Sequence, residues 1–335
     1  MKQALTPAQP APLPAPSVSE REALRERPRT EAVHGALMAE LACMCGVEAP
    51  PASAGRPLAF PLRIAAWNIE RGYFPEETAD LIARTEVDVA LLSEVDNGMA
   101  RTNQRHVTAE IADRLGMGYA YGVEFLELDL GSERERHLCT DDFNAKGFHG
   151  NAVLAATHLY APALLRFDDD RLWFAENAGQ PRIGGRCAII ATVRVGGQAV
   201  AVASVHLESR GDSKGRARQM AALVGALDVY AGGLPTLIGG DLNTGLSSGD
   251  FEEEELFDVA SDAGYARHGG PIDQMTTRAS RTNPDEERAQ KLDWFLTRGL
   301  DISGSRIVPA LAPDGTPLSD HEMIVIDIAG LTGGA

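Results

Sequence analysis

A chain of 335 residues with 44% hydrophobic and 24% charged residues has an ordinary globular composition and can bury a large core. Its formal charge of -17 opposes binding of polyanions in general, although a Debye length of roughly 8 Å at physiological salt lets a local basic patch act alone. Its four cysteines exclude a disulfide framework, and Cys43-Met44-Cys45 lacks the second pair that a zinc site needs. No apolar run reaches membrane-spanning length and no apolar signal core follows Met1, so the expected location is cytoplasmic.

Residues 1–18 are rich in Ala and Pro without periodicity, which predicts a disordered tail. Residues 19–41 have a helical composition interrupted at Pro28, and the run from Pro50 to Gly55 marks a boundary. Residues 1–55 therefore read as an appendage and 56–335 as the main domain. Residues 62–67 form a predicted strand closed by Asn68. Residues 75–85 form a helix with acidic residues in its first turn, and 87–93 a second strand, almost wholly apolar, that ends at Glu94. That strand's lack of alternation implies a sheet buried on both faces. A helix over 102–115 and a strand over 119–126 precede a polar loop, 131–147, that leads into His149-Gly150-Asn151-Ala152.

Residues 186–195 and 198–207 read as two strands joined by Gly196-Gly197, a hairpin dipeptide that carries His206 to a strand end. A helix over 214–230 repeats Met220, Leu223, Val224 and Leu227 at helical spacing, which makes them core. Thr236-Leu237-Ile238 is a buried strand, and Gly239-Gly240 lets the chain turn or approach a neighbour closely. Asp241 and Asn243 then either face a cleft or only satisfy the local backbone as an Asx turn. Residues 251–263 form an acidic helix whose run at 252–255 reads as a solvated face. Strands follow over 291–297, with Asp293 near its start, over 301–309, and over 322–328, directly after Ser319-Asp320-His321. The alternation of strands and helices in two halves fits two sheets packed face to face.

Trp67-Asn68, Ser93-Glu94-Val95, Gly150-Asn151-Ala152, His206-Leu207-Glu208-Ser209, Gly240-Asp241-Leu242-Asn243, Leu292-Asp293 and Ser319-Asp320-His321 occur in this order. As an ordered set they resemble the endonuclease/exonuclease/phosphatase superfamily, from about residue 62 to residue 328. The resemblance implies an α/β four-layer sandwich of two central sheets flanked by helices, and metal-dependent cleavage of a phosphoester. It implies Asn68, Glu94 and Asp320 as ligands of Mg²⁺ or Mn²⁺, hard cations that prefer oxygen donors. By the same resemblance Asp241 orients or deprotonates the attacking water, Asn243 and Asn151 serve the phosphate, and His206 stabilises developing charge. His321 is the second electrostatic or acid group, its ring held by Asp293.

A binding module that has lost the chemistry would be expected to lack the Glu, the Gly-Asp-x-Asn or the Asp-His, and this chain keeps all three. The expected partner is a phosphoester substrate, with nucleic acid as one candidate and a small-molecule or lipid-derived ester as the alternative. No protein partner is indicated. His206-Leu207-Glu208-Ser209 followed by Arg216, Arg218 and Gln219 is similar to the tyrosyl-DNA phosphodiesterase and nuclease branches, and Arg182, Arg186, Arg210 and Lys214 are expected to add a basic rim. Aromatic residues are only 6% of the chain, which argues against stacking platforms for single strands. Every site residue lies beyond residue 55, so the appendage is expected to be dispensable for catalysis.

Overall fold

Short apolar runs punctuated by glycine become strands in the computed structural model, which describes residues 5–9, 12–51, 55–167, 172–175, 180–246, 249–284 and 289–333. The strands are β1 (Thr6–Gln9), β2 (Val47–Glu48), β3 (Leu62–Arg71), β4 (Val89–Asn97), β5 (Gly118–Glu127), β6 (Phe148–Ala155), β7 (Tyr160–Arg166) and β8 (Arg182–Gly184). They continue with β9 (Cys187–Val195), β10 (Gln198–His206), β11 (Thr236–Asp241), β12 (Ala266–His268), β13 (Asp293–Arg298), β14 (Leu300–Val308) and β15 (Met323–Leu331). The helices are α1 (Val18–Arg25), α2 (Glu31–Glu40), α3 (Pro75–Arg84), α4 (Val107–Leu115), α5 (Glu133–Arg136), α6 (Ser213–Ala231) and α7 (Glu255–Asp262).

Hydrogen-bonded neighbours run β12-β13-β11-β10-β9-β7 in one sheet and β5-β6-β4-β3-β15-β14 in the other, with β8 on β5. Ile64, Leu91, Val153, Ile189, Val202, Leu237, Phe295 and Ile326 fill the space between the two sheets. Outside one sheet, α3 and α4 cover a second cluster that includes Trp67, Leu92, Ile82 and Ile111. Outside the other, α6 and α7 cover a third, with Met220, Leu223, Leu227, Ile238 and Leu256. The architecture is thus the four-layer α/β sandwich. The apolar β4 is explained by its two buried faces.

Local chemistry sets the ends of these elements. The Asp212 side chain accepts the Gly215 N–H at 2.7 Å to start α6, and Gly232 ends it in the left-handed region at φ 57°. Gly196 and Gly197, at φ 57° and 84°, supply the tight turn between β9 and β10.

The N-terminal stretch departs from expectation. Where a disordered tail was predicted, β1 pairs with β7 on one side and β2 on the other, and so joins the two sheets at an edge. Leu13, Leu37, Cys43 and Met44 are buried in the same cluster as Trp67 and Phe148. Composition concealed this because the strand is set by its partners: Thr6 and Pro7 register with β7, and Ala8 and Gln9 with β2. The short β7, β8 and β12 were not anticipated. The acidic run is not wholly solvated: Glu252 and Glu253 are exposed, but Glu254 is buried and holds the fully buried Arg216.

Glu48 fastens this segment. Its carboxylate accepts the Leu13 N–H at 3.0 Å, the Tyr119 hydroxyl at 2.8 Å and His106 Nε2 at 2.8 Å. Burial alone would raise its pKa, but His106 and the other donors outweigh that and bring it down to about 2. A carboxylate whose folded pKa lies below its unfolded value contributes stability that is complete above the unfolded value and is lost as pH falls through the folded one. Glu48→Gln should cost about 1–3 kcal/mol near neutral pH, and the gap from wild type should narrow as pH falls below the ordinary glutamate range. Urea unfolding at a series of pH values measures both.

Candidate active site

Three neighbouring strands of one sheet end on a line. β10 and β11 run parallel with His206 opposite Asp241, and β11 and β13 run antiparallel with Asp241 opposite Asp293. From the other sheet come Asn68 on β3, Glu94 on β4 and Asn151 on β6, and the turn into β15 carries Asp320 and His321. The two sets meet where Asn68 Nδ2 donates to Asp241 Oδ2 at 3.1 Å. Trp67 Nε1 donates to the His321 carbonyl at 2.8 Å. Ser319 Oγ donates to the Asn68 carbonyl at 2.6 Å and accepts the His321 N–H at 3.0 Å, so the turn is tied to β3.

Asp241 answers both readings of its motif. Its Oδ1 accepts the Asn243 N–H at 2.9 Å, an Asx turn, while its Oδ2 lies 3.7 Å from Nε2 of His206 and 3.7 Å from Nε2 of His321. Asn243 adopts φ 52° and donates from Nδ2 to the Leu207 carbonyl at 2.9 Å, which fixes the segment after His206. Gly239 lets the sheets approach: a Cβ there would lie 2.7 Å from Phe295 Cδ1 and 2.8 Å from Leu91 Cδ1.

His321 Nδ1 lies 2.8 Å from Asp293 Oδ2, and both residues are buried. Burial by itself would lower the histidine pKa, but Asp293, followed by Asp241, overcomes it and holds the ring well above its ordinary value. Ligand atoms of Asp241, Asp293 and His321 all lie within 4.8 Å of one another. The three residues thus offer a compact acidic and imidazole cluster of a kind that could hold a metal ion.

Glu94 sits in a bulge of β4 at φ 56°, a backbone conformation that costs on the order of 1–3 kcal/mol for such a residue. Its carboxylate pairs with Arg71 and lies 4.0 Å from His206 Nε2. Among the described residues, Asn68 Oδ1 accepts only the Glu70 N–H, at 3.1 Å, which leaves a second lone pair. Burial, then the charge of Asp320, push the Glu70 carboxyl up to about 7. The oxygens of Glu94, Asn68 and Asp320 fit a hard divalent ion in donor type.

Asn151 is more structural than expected: its Nδ2 donates to the Cys187 carbonyl at 3.0 Å, although its buried Oδ1 has no partner among the described residues. The basic rim needs correction. Arg186 is buried, with Nη1 3.0 Å from His206 Nδ1, 2.9 Å from Nε2 and 2.5 Å from Glu124 Oε1. Arg216 lies wholly inside, Arg182 is half-buried, and Arg210, Lys214 and Arg218 are exposed. Glu124, whose carboxyl is held below the carboxylate range by His206 and Arg186 against the effect of burial, gave no signal in the sequence. Nor did Arg71 or Trp173.

The sequence profile of the Endonuclease/Exonuclease/phosphatase family matches residues 65–321, a span holding every residue of this site, and the chain belongs to that family. No curated protein matches it in sequence. Among solved structures, an endonuclease/exonuclease/phosphatase from Beutenbergia cavernae DSM 12333 is similar with a TM-score of 0.57 at 18% identity, covering 80% of this chain and 71% of that one. The human Nocturnin catalytic domain with bound sulfate gives 0.54 at 20%, covering 82% and 96%. D. rerio TDP2 complexed with single strand DNA product gives 0.55 at 15%, covering 80% and 98%. At these identities the likeness is one of fold.

If Asp293 and His321 serve one function, His321→Ala should lower kcat/KM on a phosphodiester by about 10²-fold or more, and Asp293→Asn by somewhat less. The double variant should then be little slower than His321→Ala alone. Effects that multiply across the two single variants would show independent roles. Circular dichroism of each variant separates loss of the pair from loss of the fold.

Proposed function

We propose that the protein is a divalent-metal-dependent hydrolase that cleaves a phosphoester, with phosphodiesters as the preferred class, by in-line attack of water. The observation that carries this reading is the Asp241 carboxylate, held from both sheets and flanked at 3.7 Å by Nε2 of His206 and of His321. That one fold neighbour was solved with a single strand DNA product and another with a sulfate anion supports a phosphoester substrate.

In this mechanism Asp241 takes the proton of the attacking water, and the Asn243 N–H and Asn68 amide keep its carboxylate aimed. His206, oriented by Arg186 and Glu124, stabilises charge on a phosphoryl oxygen. Charged His321, balanced by Asp293, gives its Nε2 proton to the departing oxygen. Mg²⁺ or Mn²⁺ on Glu94, Asn68 and Asp320 would supply Lewis-acid neutralisation of phosphoryl charge.

A second reading, hydrolysis of a small or lipid-derived phosphoester, is favoured by one observation: Arg186 and Arg216 are internal, which removes two cations from any surface that would track a polynucleotide. Among the described residues no helix is long and apolar enough to cross a membrane. All four cysteines are free, which suits the reducing cytoplasm to which we assign the activity.

The test is a panel of DNA, RNA, bis(p-nitrophenyl) phosphate, phosphomonoesters and phospholipids assayed with Mg²⁺ or Mn²⁺ and with EDTA. EDTA should abolish turnover, and Glu94→Gln should lose at least about 10²-fold in kcat/KM while retaining the wild-type circular dichroism spectrum. Full activity of Glu94→Gln in EDTA would refute the metal-dependent reading.

A further inference from the structure

An acidic chain carries a strongly cationic cavity beside the site. A cavity of about 220 Å³ is lined by Arg71, Arg134, Arg182 and Arg210, with Glu135 and Trp173 among its walls. The one carboxylate among its described lining residues is already paired: Glu135 meets Arg71 at 2.9 Å and Arg101 at 3.1 Å. Arg134 is exposed and reaches only the Thr282 carbonyl, at 3.4 Å, among the described residues. Arg182 is the telling residue. Its guanidinium lies 4.6 Å from the Phe125 ring centroid and 4.4 Å from that of Trp173, yet it makes no side-chain hydrogen bond or ion pair with any described residue. Burial pulls its pKa down to about 10, more than the charges of Glu127 and Glu124 restore.

The cavity adjoins the catalytic groups on two sides. Arg71 lines it and also holds the Glu94 carboxylate. Trp173 Nε1 donates to Glu208 Oε2 at 2.8 Å, two residues beyond His206. The Trp173 ring does not offer a bare face for base stacking: Arg182 lies 4.4 Å from its centroid, Arg210 4.8 Å, and the Phe125 ring meets it edge-on at 5.6 Å. The walls therefore recognise charge rather than a base, and guanidinium forks match phosphate oxygens in geometry.

We propose that this cavity is a second phosphate subsite, taking a terminal phosphomonoester of a substrate whose scissile phosphoester lies at Asp241. The proposal rests on the hydrolase reading for its second half only. A dianionic monoester suits the place better than an internal diester, because among the described residues Arg134 and the half-buried Arg182 face the cavity without a carboxylate partner, and its carboxylate Glu135 is paired with Arg71 and Arg101. The substrate is then a molecule with two phosphates, and Arg182 selects it.

Two measurements on the full chain test this. Inorganic phosphate is titrated while tryptophan fluorescence is followed, with Trp173→Phe assigning the signal to the cavity. Arg182→Gln should weaken the Trp173 response by about tenfold or more, Arg134→Gln should weaken it less, and Arg114→Gln, on a distant helix surface, serves as the control. Separately, kcat/KM is compared for a thymidine dinucleotide with and without a 5′-phosphate, and for a longer oligonucleotide without one. Wild type should prefer the 5′-phosphorylated dinucleotide, and Arg182→Gln should lose that preference by about tenfold. An unchanged phosphate titration in Arg182→Gln overturns the proposal, as does a fall in Tm with phosphate affinity intact, which would make the guanidinium a structural cap on Trp173. A preference for the unphosphorylated oligonucleotide overturns the terminal-phosphate assignment. If no ester is hydrolysed but phosphate binding still depends on Arg182, the subsite stands and the hydrolase reading fails.

Discussion

The hydrogen bond from Asn68 to Asp241 is the constraint on which the rest of the site depends, because its two ends belong to different sheets. Each sheet alone would present a row of polar groups at its strand ends, with nothing to fix their separation. Packing fixes it: Gly239 removes a side chain that would collide with Phe295 and Leu91, and the apolar layer around Leu91, Leu237 and Phe295 then closes. A close-packed interior resists continuous deformation. The distances from Asp241 to the two imidazoles are therefore set by the core beneath them, and the geometry of the candidate site is a by-product of sheet packing.

Burial then sets the charge states. Arg101 is fully buried among Asp96, Glu127 and Glu135, and Asp96 also meets His149 Nδ1 at 3.0 Å. Such a network is costly to desolvate and costs more to break than it contributes when whole, since removing one member leaves an uncompensated buried charge. Its position explains its presence: Glu135 passes the network on to Arg71, and Arg71 holds Glu94 in its bulge. The strained φ of Glu94 is thus maintained by a chain of paired charges anchored beneath the sheet.

Much of this was legible in the sequence, and the boundary of legibility has a physical cause. Strands β3, β4, β10, β11, β13 and β15 were readable because each is an apolar run with a polar residue at its end, and that pattern also exposed Asn68, Glu94, His206, Asp241, Asp293 and His321. What could not be read was pairing across the chain. Arg186 looked like a surface cation because nothing local to Gly-Gly-Arg-Cys shows that Cys187 registers with His206, and Glu124 looked like an ordinary strand residue for the same reason. The N-terminal stretch was misread because composition reports what a segment can do alone, whereas β1 is held by β2 and β7. The acidic run at 252–255 failed at Glu254, the one member that faces Arg216.

Net charge is the least informative of the sequence quantities, and its failure is instructive. A formal charge of -17 predicts repulsion of phosphate at long range, yet screening confines that field to about 8 Å at physiological salt. Within that distance the relevant count is the one lining the cleft. There, among the described residues, Arg71, Arg134, Arg182 and Arg210 line a recess with one carboxylate, Glu135, which is doubly paired. Several of the remaining arginines are committed to internal partners such as Glu124, Asp96 and Glu254. An acidic exterior with a cationic recess disfavours extended polyanions, whose flanking charges would meet the outer surface. It still admits a compact phosphorylated group that fits the recess. Selection by the size of the anion follows from where the arginines are, and the overall charge sharpens it.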